Sequence, residues 1–178
     1  GQEIFLVTQR EINVEKPTEQ DLYAIGTISR VTQILRLGQN SLRVMVEGGR
    51  RARLKRLWQL EPYLQGQVET AEEPEPVNHG PKTEALLRQT WSLFQDYAQL
   101  AGNVAEEVIA AALDCQEPGD LADLIAQNIA LRYDDKQAIL EELSPMVRLR
   151  KLNGFLARER DVLGYQRQME GKVRDELA

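Results

Sequence analysis

The chain has 178 residues, 42% of them hydrophobic and 28% charged, which suits one globular domain or two small lobes. Its net charge of −6 and its pI near 5.0 argue against a dedicated nucleic-acid binder, although a local basic patch is compatible with them. A single cysteine excludes an internal disulfide and favours a reducing compartment, and no apolar run approaches the ~18 residues of a membrane span.

The first predicted strand is the continuous apolar run IFLV at residues 4–7. Such a run is typical of a strand buried on both faces, which needs a neighbour on each side. Residues 11–20 are polar and contain Pro17, so they predict a loop that ends in a single helical turn before Gly26.

A long β-hairpin is predicted next. Residues 28–37 and 42–46 are rich in β-branched residues and leucine, and they flank the turn-forming segment Gly-Gln-Asn at 38–40. In the second strand the valines alternate with Arg43 and Met45, so one face of the hairpin is expected to be buried and the other exposed to water.

A third strand is expected after the two glycines at 48–49, which permit a positive φ or a bulge. A fourth is predicted over residues 63–70, with Pro62 at its entry. Because no long helical pattern interrupts these strands, residues 1–72 are predicted to form a β-rich lobe. Residues 73–81, with three prolines and a glycine, are predicted to be a surface linker.

The pattern becomes helical over residues 82–144, where apolar residues recur at steps of three and four and Gly102 ends the first helix. Ser144 and Pro145 are predicted to open a final long helix over residues 145–178. Its first half can pack on the other helices, whereas its polar second half is expected to project, fray or bend. The predicted class is α+β, an antiparallel β lobe followed by an α-helical bundle. Three residues are predicted helix N-caps: Asn103, Asp120 and Asp134.

Five segments form an ordered set over nearly the whole chain: IFLVTQR (residues 4–10), DLYAIGTISRVTQILRL (21–37), VMVEGGRRARL (44–54), DLADLIAQNIAL (120–131) and DDKQAILEEL (134–143). By their order and spacing, the chain resembles the amino-terminal domain of bacterial Lon protease, the ATP-dependent endopeptidase La. It departs from the family at the hairpin turn, which is usually Pro-Asp-Gly-Thr where this chain has Gly-Gln-Asn-Ser. The family also has two strands and a helix before the first segment, so the sequence is expected to be a fragment at both ends.

The resemblance implies a PUA-like sheet lobe, here without its first strands, and a long last helix that continues to an ATPase module. It implies a cytoplasmic, hexameric parent that uses ATP and Mg²⁺ and degrades misfolded and short-lived regulatory proteins. In that parent this domain would bind unfolded segments and pass them to the AAA+ motor. The alternative is a stand-alone adaptor of the same fold without a protease.

No catalytic, cofactor-binding or metal-binding residue is predicted. The sequence has no Walker loop and no His/Cys cluster with metal-ligand spacing, and the implied ATP site and serine–lysine pair belong to downstream modules. His79 lies in the proline-rich linker, where a solvated side chain is favoured over a general base. Cys115 lies on an apolar helix face without a neighbouring base, which favours a buried small residue over a nucleophile.

Two clusters have a structural and a functional interpretation. Five basic residues at 50–56 favour a charged sheet edge over a phosphate-binding strand, so nucleic acid is not an expected partner. The apolar-aromatic cluster either closes the core between the lobes or forms an exposed patch that holds extended polypeptide, and it is the candidate substrate-binding site. Its members are Trp58, Leu60, Tyr63 and Leu64.

Overall fold

The computed structural model describes residues 1–74 and 76–178; Glu75, in the predicted linker, lies outside the described residues. The chain divides into two compact units, Gly1–Glu72 and Glu73–Ala178. The first is a sheet unit and the second a helical unit, which confirms the predicted α+β class.

The sheet unit contains one antiparallel sheet in the order β1-β2-β3-β4. A single 3-10 turn, Glu19–Asp21, precedes β2 as predicted, and Thr18 and Asp21 form a capping box around it. The strands are β1 Glu3–Leu6, β2 Ile25–Arg36, β3 Leu42–Gln59 and β4 Gln65–Thr70.

The prediction of separate strands before and after the two glycines at 48–49 is wrong, because β3 is one strand of 18 residues. Thr27 pairs with Arg51 and Ser29 with Gly48, so the β3 side of the ladder has one extra residue. This bulge absorbs the extra residue without ending the strand, and neither glycine there has a positive φ. The fourth predicted strand is real but begins at Gln65, after Pro62 and the residues that follow it.

Gly26 allows β1 to lie close against β2. A Cβ on Gly26 would lie 2.2 Å from the carbonyl oxygen of Leu6, a distance that no side chain tolerates. Among the described strands β1 pairs only with β2, and Leu6 is exposed, so the predicted burial of this strand on both faces is not observed. Within the described sheet, β1 is therefore the first strand of the order β1-β2-β3-β4.

The helical unit is built on contacts of α1 and α3 with the first half of α5. Leucines 149, 152 and 156 of α5 are fully buried, whereas the apolar side chains from Val162 to Leu177 are largely exposed. The prediction that the first half of the last helix packs and the second half projects is therefore confirmed in its main part. Two contacts extend it: Leu163 packs partly against the helical core, and an Arg167 guanidinium N–H donates a hydrogen bond to the Leu100 carbonyl of α1. The helices are α1 Pro81–Ala101, α2 Glu106–Asp114, α3 Pro118–Asn128, α4 Tyr133–Glu141 and α5 Pro145–Leu177.

Two of the predicted helix ends are confirmed, and three predicted N-cap residues are wrong. Gly102 ends α1 in the left-handed conformation, with φ 72°, and Ser144 precedes α5, both as predicted. The three other predicted N-caps are wrong. In α3, Pro118 already occupies the first turn, where its missing N–H costs nothing. The observed N-cap residues of α2, α3 and α4 are Ala105, Glu117 and Arg132.

Candidate binding surface

The distal part of the β2–β3 hairpin, residues 31–46, extends beyond the paired parts of β1 and β4, and it is called the arm below. β1 pairs with β2 as far as Arg30, and the last backbone bond on that side joins Val31 N–H to the Gln2 carbonyl. β4 pairs with β3 only from Ala52 onward. Beyond that Val31 bond, the backbones of the two arm strands pair only with each other among the described residues.

The arm exposes apolar side chains on both faces. Ile34 lies opposite Val44, whereas Leu35 lies opposite Arg43 on the other face. The prediction that one face of the hairpin is buried is wrong here, because no other element of the sheet unit covers these residues. Seven apolar side chains are between 40% and 60% exposed: Ile34, Leu35, Leu37, Leu42, Val44, Met45 and Val46.

A second concave surface lies between β1 and β4, the first and last strands in the sheet order. It is a groove of about 400 Å³ whose lining includes Phe5 of β1, Leu54 of β3 and Val68 of β4. Tyr63 and Leu64, two of the predicted substrate-binding residues, also line it.

The four predicted substrate-binding residues are all exposed, but only two of them line the groove. Tyr63 is 64% exposed and Trp58 is 54% exposed; Trp58 and Leu60 lie outside the groove lining. The side-chain amide of Gln59 donates a hydrogen bond of 2.9 Å to the Tyr63 carbonyl, which links the end of β3 to the loop before β4. Substrate contact by these four residues stays a prediction.

The basic run at 50–56 lies on β3, the strand between β2 and β4, so the interpretation as a sheet edge is wrong. Ala52 is fully buried, while Arg53 and Lys55 project from the opposite face and are exposed. Lys55 forms an ion pair of 2.9 Å with Glu69. This hydrogen bond and the Lys55 charge lower the pKa of the Glu69 carboxyl.

The two titratable residues singled out in the sequence, His79 and Cys115, both lie near Glu117. His79 Nε2 lies 2.9 Å from a Glu117 carboxylate oxygen, and both side chains are about half exposed. Cys115 is half-buried, and burial raises the pKa of its thiol, which disfavours the reactive thiolate. Its Sγ donates a hydrogen bond of 3.5 Å to the Glu117 carbonyl. No group of three or more potential metal ligands occurs among residues 1–74 and 76–178.

The profile of one protein family, the ATP-dependent protease La (LON) substrate-binding domain, matches residues 1–158. The chain belongs to this family. The chain is 37% identical over 174 residues to a Lon protease of Desulforamulus reducens and 36% identical over 174 residues to one of Brevibacillus choshinensis. These matches cover 98% of this chain but 21% and 22% of the relatives, so the chain spans about a fifth of their length.

Solved Lon amino-terminal domains share the fold of this Lon substrate-binding domain. The domain from Mycobacterium avium complex superposes with a TM-score of 0.63 at 21% identity, covering 88% of this chain and 90% of the other. A Lon N-terminal domain protein from Xanthomonas campestris gives 0.51 at 18% identity, covering 85% and 88%. The resemblance stated from the sequence is thus confirmed. None of the helices described for this Lon domain has the length and apolar character required to cross a membrane.

The arm was missed as a site by the sequence analysis, although a signal was present. Leu35 and Met45 occupy positions on the face that the alternation assigned to water. Apolar residues on both faces of a hairpin indicate burial on both sides or exposure for binding, and only the structure of the Lon domain distinguishes the two.

Proposed function

We propose that the chain is a substrate-recognition module whose arm binds extended, apolar segments of unfolded proteins. The observation that carries the proposal is the set of seven exposed apolar side chains on a ribbon with free edges, in a member of the Lon substrate-binding family. Free edges offer backbone donors and acceptors to an added strand, and the side chains beside them offer apolar contacts. A folded protein buries both kinds of group, so this chemistry selects unfolded chains.

The predicted cluster of Trp58, Leu60, Tyr63 and Leu64 is proposed as a second contact surface of the same kind. Its four exposed side chains are compatible with that role. Two weak surfaces on one polypeptide would raise the overall affinity, because binding at one keeps the substrate close to the other.

For the longer parent protein, we propose the role that the family implies. The parent would be a cytoplasmic, hexameric, ATP-dependent serine protease that degrades misfolded and short-lived regulatory proteins, with ATP and Mg²⁺ bound in other modules. Its α5 helix would lead toward the AAA+ motor that receives the captured chain. Multivalency in a hexamer would strengthen weak single sites. Nucleic acid and membranes are not proposed as partners of this chain.

A stand-alone adaptor without an attached protease is the alternative function. The length of the natural gene distinguishes the two: continuation past Ala178 into a Walker loop and a serine–lysine pair supports the protease. A gene that ends soon after this position supports the adaptor.

Binding of a permanently unfolded protein tests the proposal. A reduced and carboxymethylated small protein with a fluorescent label is titrated with the chain, and its anisotropy is measured. Ile34→Ser with Val44→Ser removes one exposed cross-strand pair, and we expect about tenfold weaker binding from the lost apolar burial. Trp58→Ser with Tyr63→Ser tests the second surface in the same way.

The matched control is Tyr165→Ser with Met169→Ser, which changes two side chains on α5 that are 65% and 67% exposed. This control is expected to bind as the unchanged chain does. Wild-type affinity in the arm variant, with its circular dichroism unchanged, would show that the arm is not the binding surface. Crosslinking of the labelled protein to the chain then locates the attached residues.

A further inference from the structure

The arm combines its apolar side chains with an unopposed positive charge. Residues 31–46 contain two arginines, Arg36 and Arg43, and no aspartate or glutamate. Both arginine side chains are exposed, and neither forms an ion pair with any described residue. The acidic residue next to the arm in sequence, Glu47, is already paired with Arg30.

The two arginines lie on opposite faces of the ribbon, one on each apolar stripe. Arg36 pairs with Leu42 and so shares a face with Ile34, while Arg43 pairs with Leu35. An extended substrate segment bound along either face or edge of the arm therefore contacts apolar side chains along the strands. At the turn end of the arm it also contacts an arginine guanidinium. Because a guanidinium binds carboxylates with two parallel hydrogen bonds, acidic residues beside the apolar segment would find a ready partner.

From this charge complementarity we propose that the arm prefers apolar segments flanked by aspartate or glutamate and disfavours those flanked by lysine or arginine. The inference rests on the proposed function, since it names the class of polypeptide that the same surface takes. The local charge decides the preference, because exposed charges more than about 8 Å apart are largely screened at physiological salt. The net charge of −6 of the whole chain therefore does not cancel it.

Two synthetic peptides test the preference. They share one alternating apolar core of eight residues, and they carry either two aspartates or two lysines at each end. With the 178-residue chain, we expect the aspartate peptide to bind about three- to tenfold more tightly than the lysine peptide. The ratio should shrink as salt is raised, because the contacts are exposed.

Charge-matched variants locate the effect. In Arg36→Gln with Arg43→Gln, both peptides are expected to bind with nearly equal affinity. The control, Arg150→Gln with Lys172→Gln, removes the same charge from exposed positions on α5 and is expected to keep the preference. Equal binding of both peptides to the wild-type chain, or an undiminished preference in the arm variant, would overturn the inference and leave the proposed function standing. Failure of both peptides to bind the wild-type chain would overturn the proposed function as well.

Discussion

The buried guanidinium of Arg148, at the start of α5, joins three other segments of the helical unit. The side chain is 1% exposed; its Nη1 lies 3.4 Å from Asp123 of α3 and its Nη2 lies 3.5 Å from Glu73. Its Nε donates a hydrogen bond of 2.8 Å to the carbonyl of Glu142, just after α4. A buried cation is tolerated only with such partners, so Arg148 fixes where these segments meet.

Replacing Arg148 by methionine should lower the free energy of unfolding of the helical unit by about 3 kcal/mol. The methionine keeps much of the apolar stem but leaves the carbonyl of Glu142 without its donor. Urea unfolding followed by circular dichroism measures the change. Arg150→Met, two residues on and exposed, should change stability by less than about 0.5 kcal/mol. Equal effects of the two substitutions would contradict a structural role of the buried guanidinium.

The Lys55–Glu69 pair predicts a small pH effect in the sheet unit. The hydrogen bond and charge of Lys55 lower the pKa of Glu69 below its ordinary 4.5. A lowered pKa in the folded state stabilises the fold above the unfolded pKa, and this contribution is lost as pH falls through the folded value. In Lys55→Gln, the pKa of Glu69 should rise toward 4.5.

Carboxyl carbon chemical shifts between pH 2.5 and 6 follow this titration by NMR. Because the pair is exposed, stability at neutral pH should change little. Arg36→Gln is the control, since it removes a cation on the far part of the hairpin and should leave Glu69 unaffected. An unchanged Glu69 titration in Lys55→Gln would refute the assigned cause.

At the scale of elements, the periodicity of the sequence predicts those helices and strands that are determined by residues close together in the chain. The last helix was predictable because Leu149 and Leu156 recur at helical spacing and Pro145 marks its first turn. The continuity of β3 was not, because a glycine pair is equally compatible with a strand end and with a bulge. A bulge forms here because β2 pairs with β3 on both sides of the glycine pair. This pairing joins residues far apart in the sequence, so local patterns do not reveal it.

The contact of β1 with β2 predicts that Gly26 cannot be replaced. Gly26→Ala places a Cβ 2.2 Å from the Leu6 carbonyl, so β1 must move away and lose backbone hydrogen bonds. We expect a loss of about 2 kcal/mol or more from the sheet unit and faster amide hydrogen exchange in β1. Gly48→Ala is the matched control, since its Cβ would meet nothing nearer than a Thr27 methyl group at 3.8 Å. Unchanged exchange in β1 of the Gly26→Ala variant would contradict the close contact.

At the scale of the whole molecule, the two units differ in the core that each contains. Fourteen buried hydrophobic residues form one cluster in the helical unit, whereas the described residues of the sheet unit contribute three: Leu22, Ile25 and Ala52. The sequence predicted both units but not this imbalance, because the apolar residues of the hairpin look like core residues until their exposure is known. Leu42 and Val44 have the residue types of a buried strand and yet are 60% and 45% exposed.

The imbalance predicts that the sheet unit unfolds at a lower urea concentration than the helical unit, since buried apolar area is the main favourable term in folding. The chain has two tryptophans, Trp58 in the sheet unit and Trp91 in the helical unit, so each unit has its own fluorescent reporter. In Trp91→Phe the remaining signal reports the sheet unit, and in Trp58→Phe it reports the helical unit. Trp91 packs partly buried against the helical core, so its emission should shift to longer wavelength on unfolding.

We expect the Trp58 transition to come first, and Ile34→Ser with Val44→Ser should leave the Trp91 transition in place. Coincident transitions in the two single-tryptophan variants would contradict the separate stabilities, because they would indicate that the two units unfold as one cooperative body.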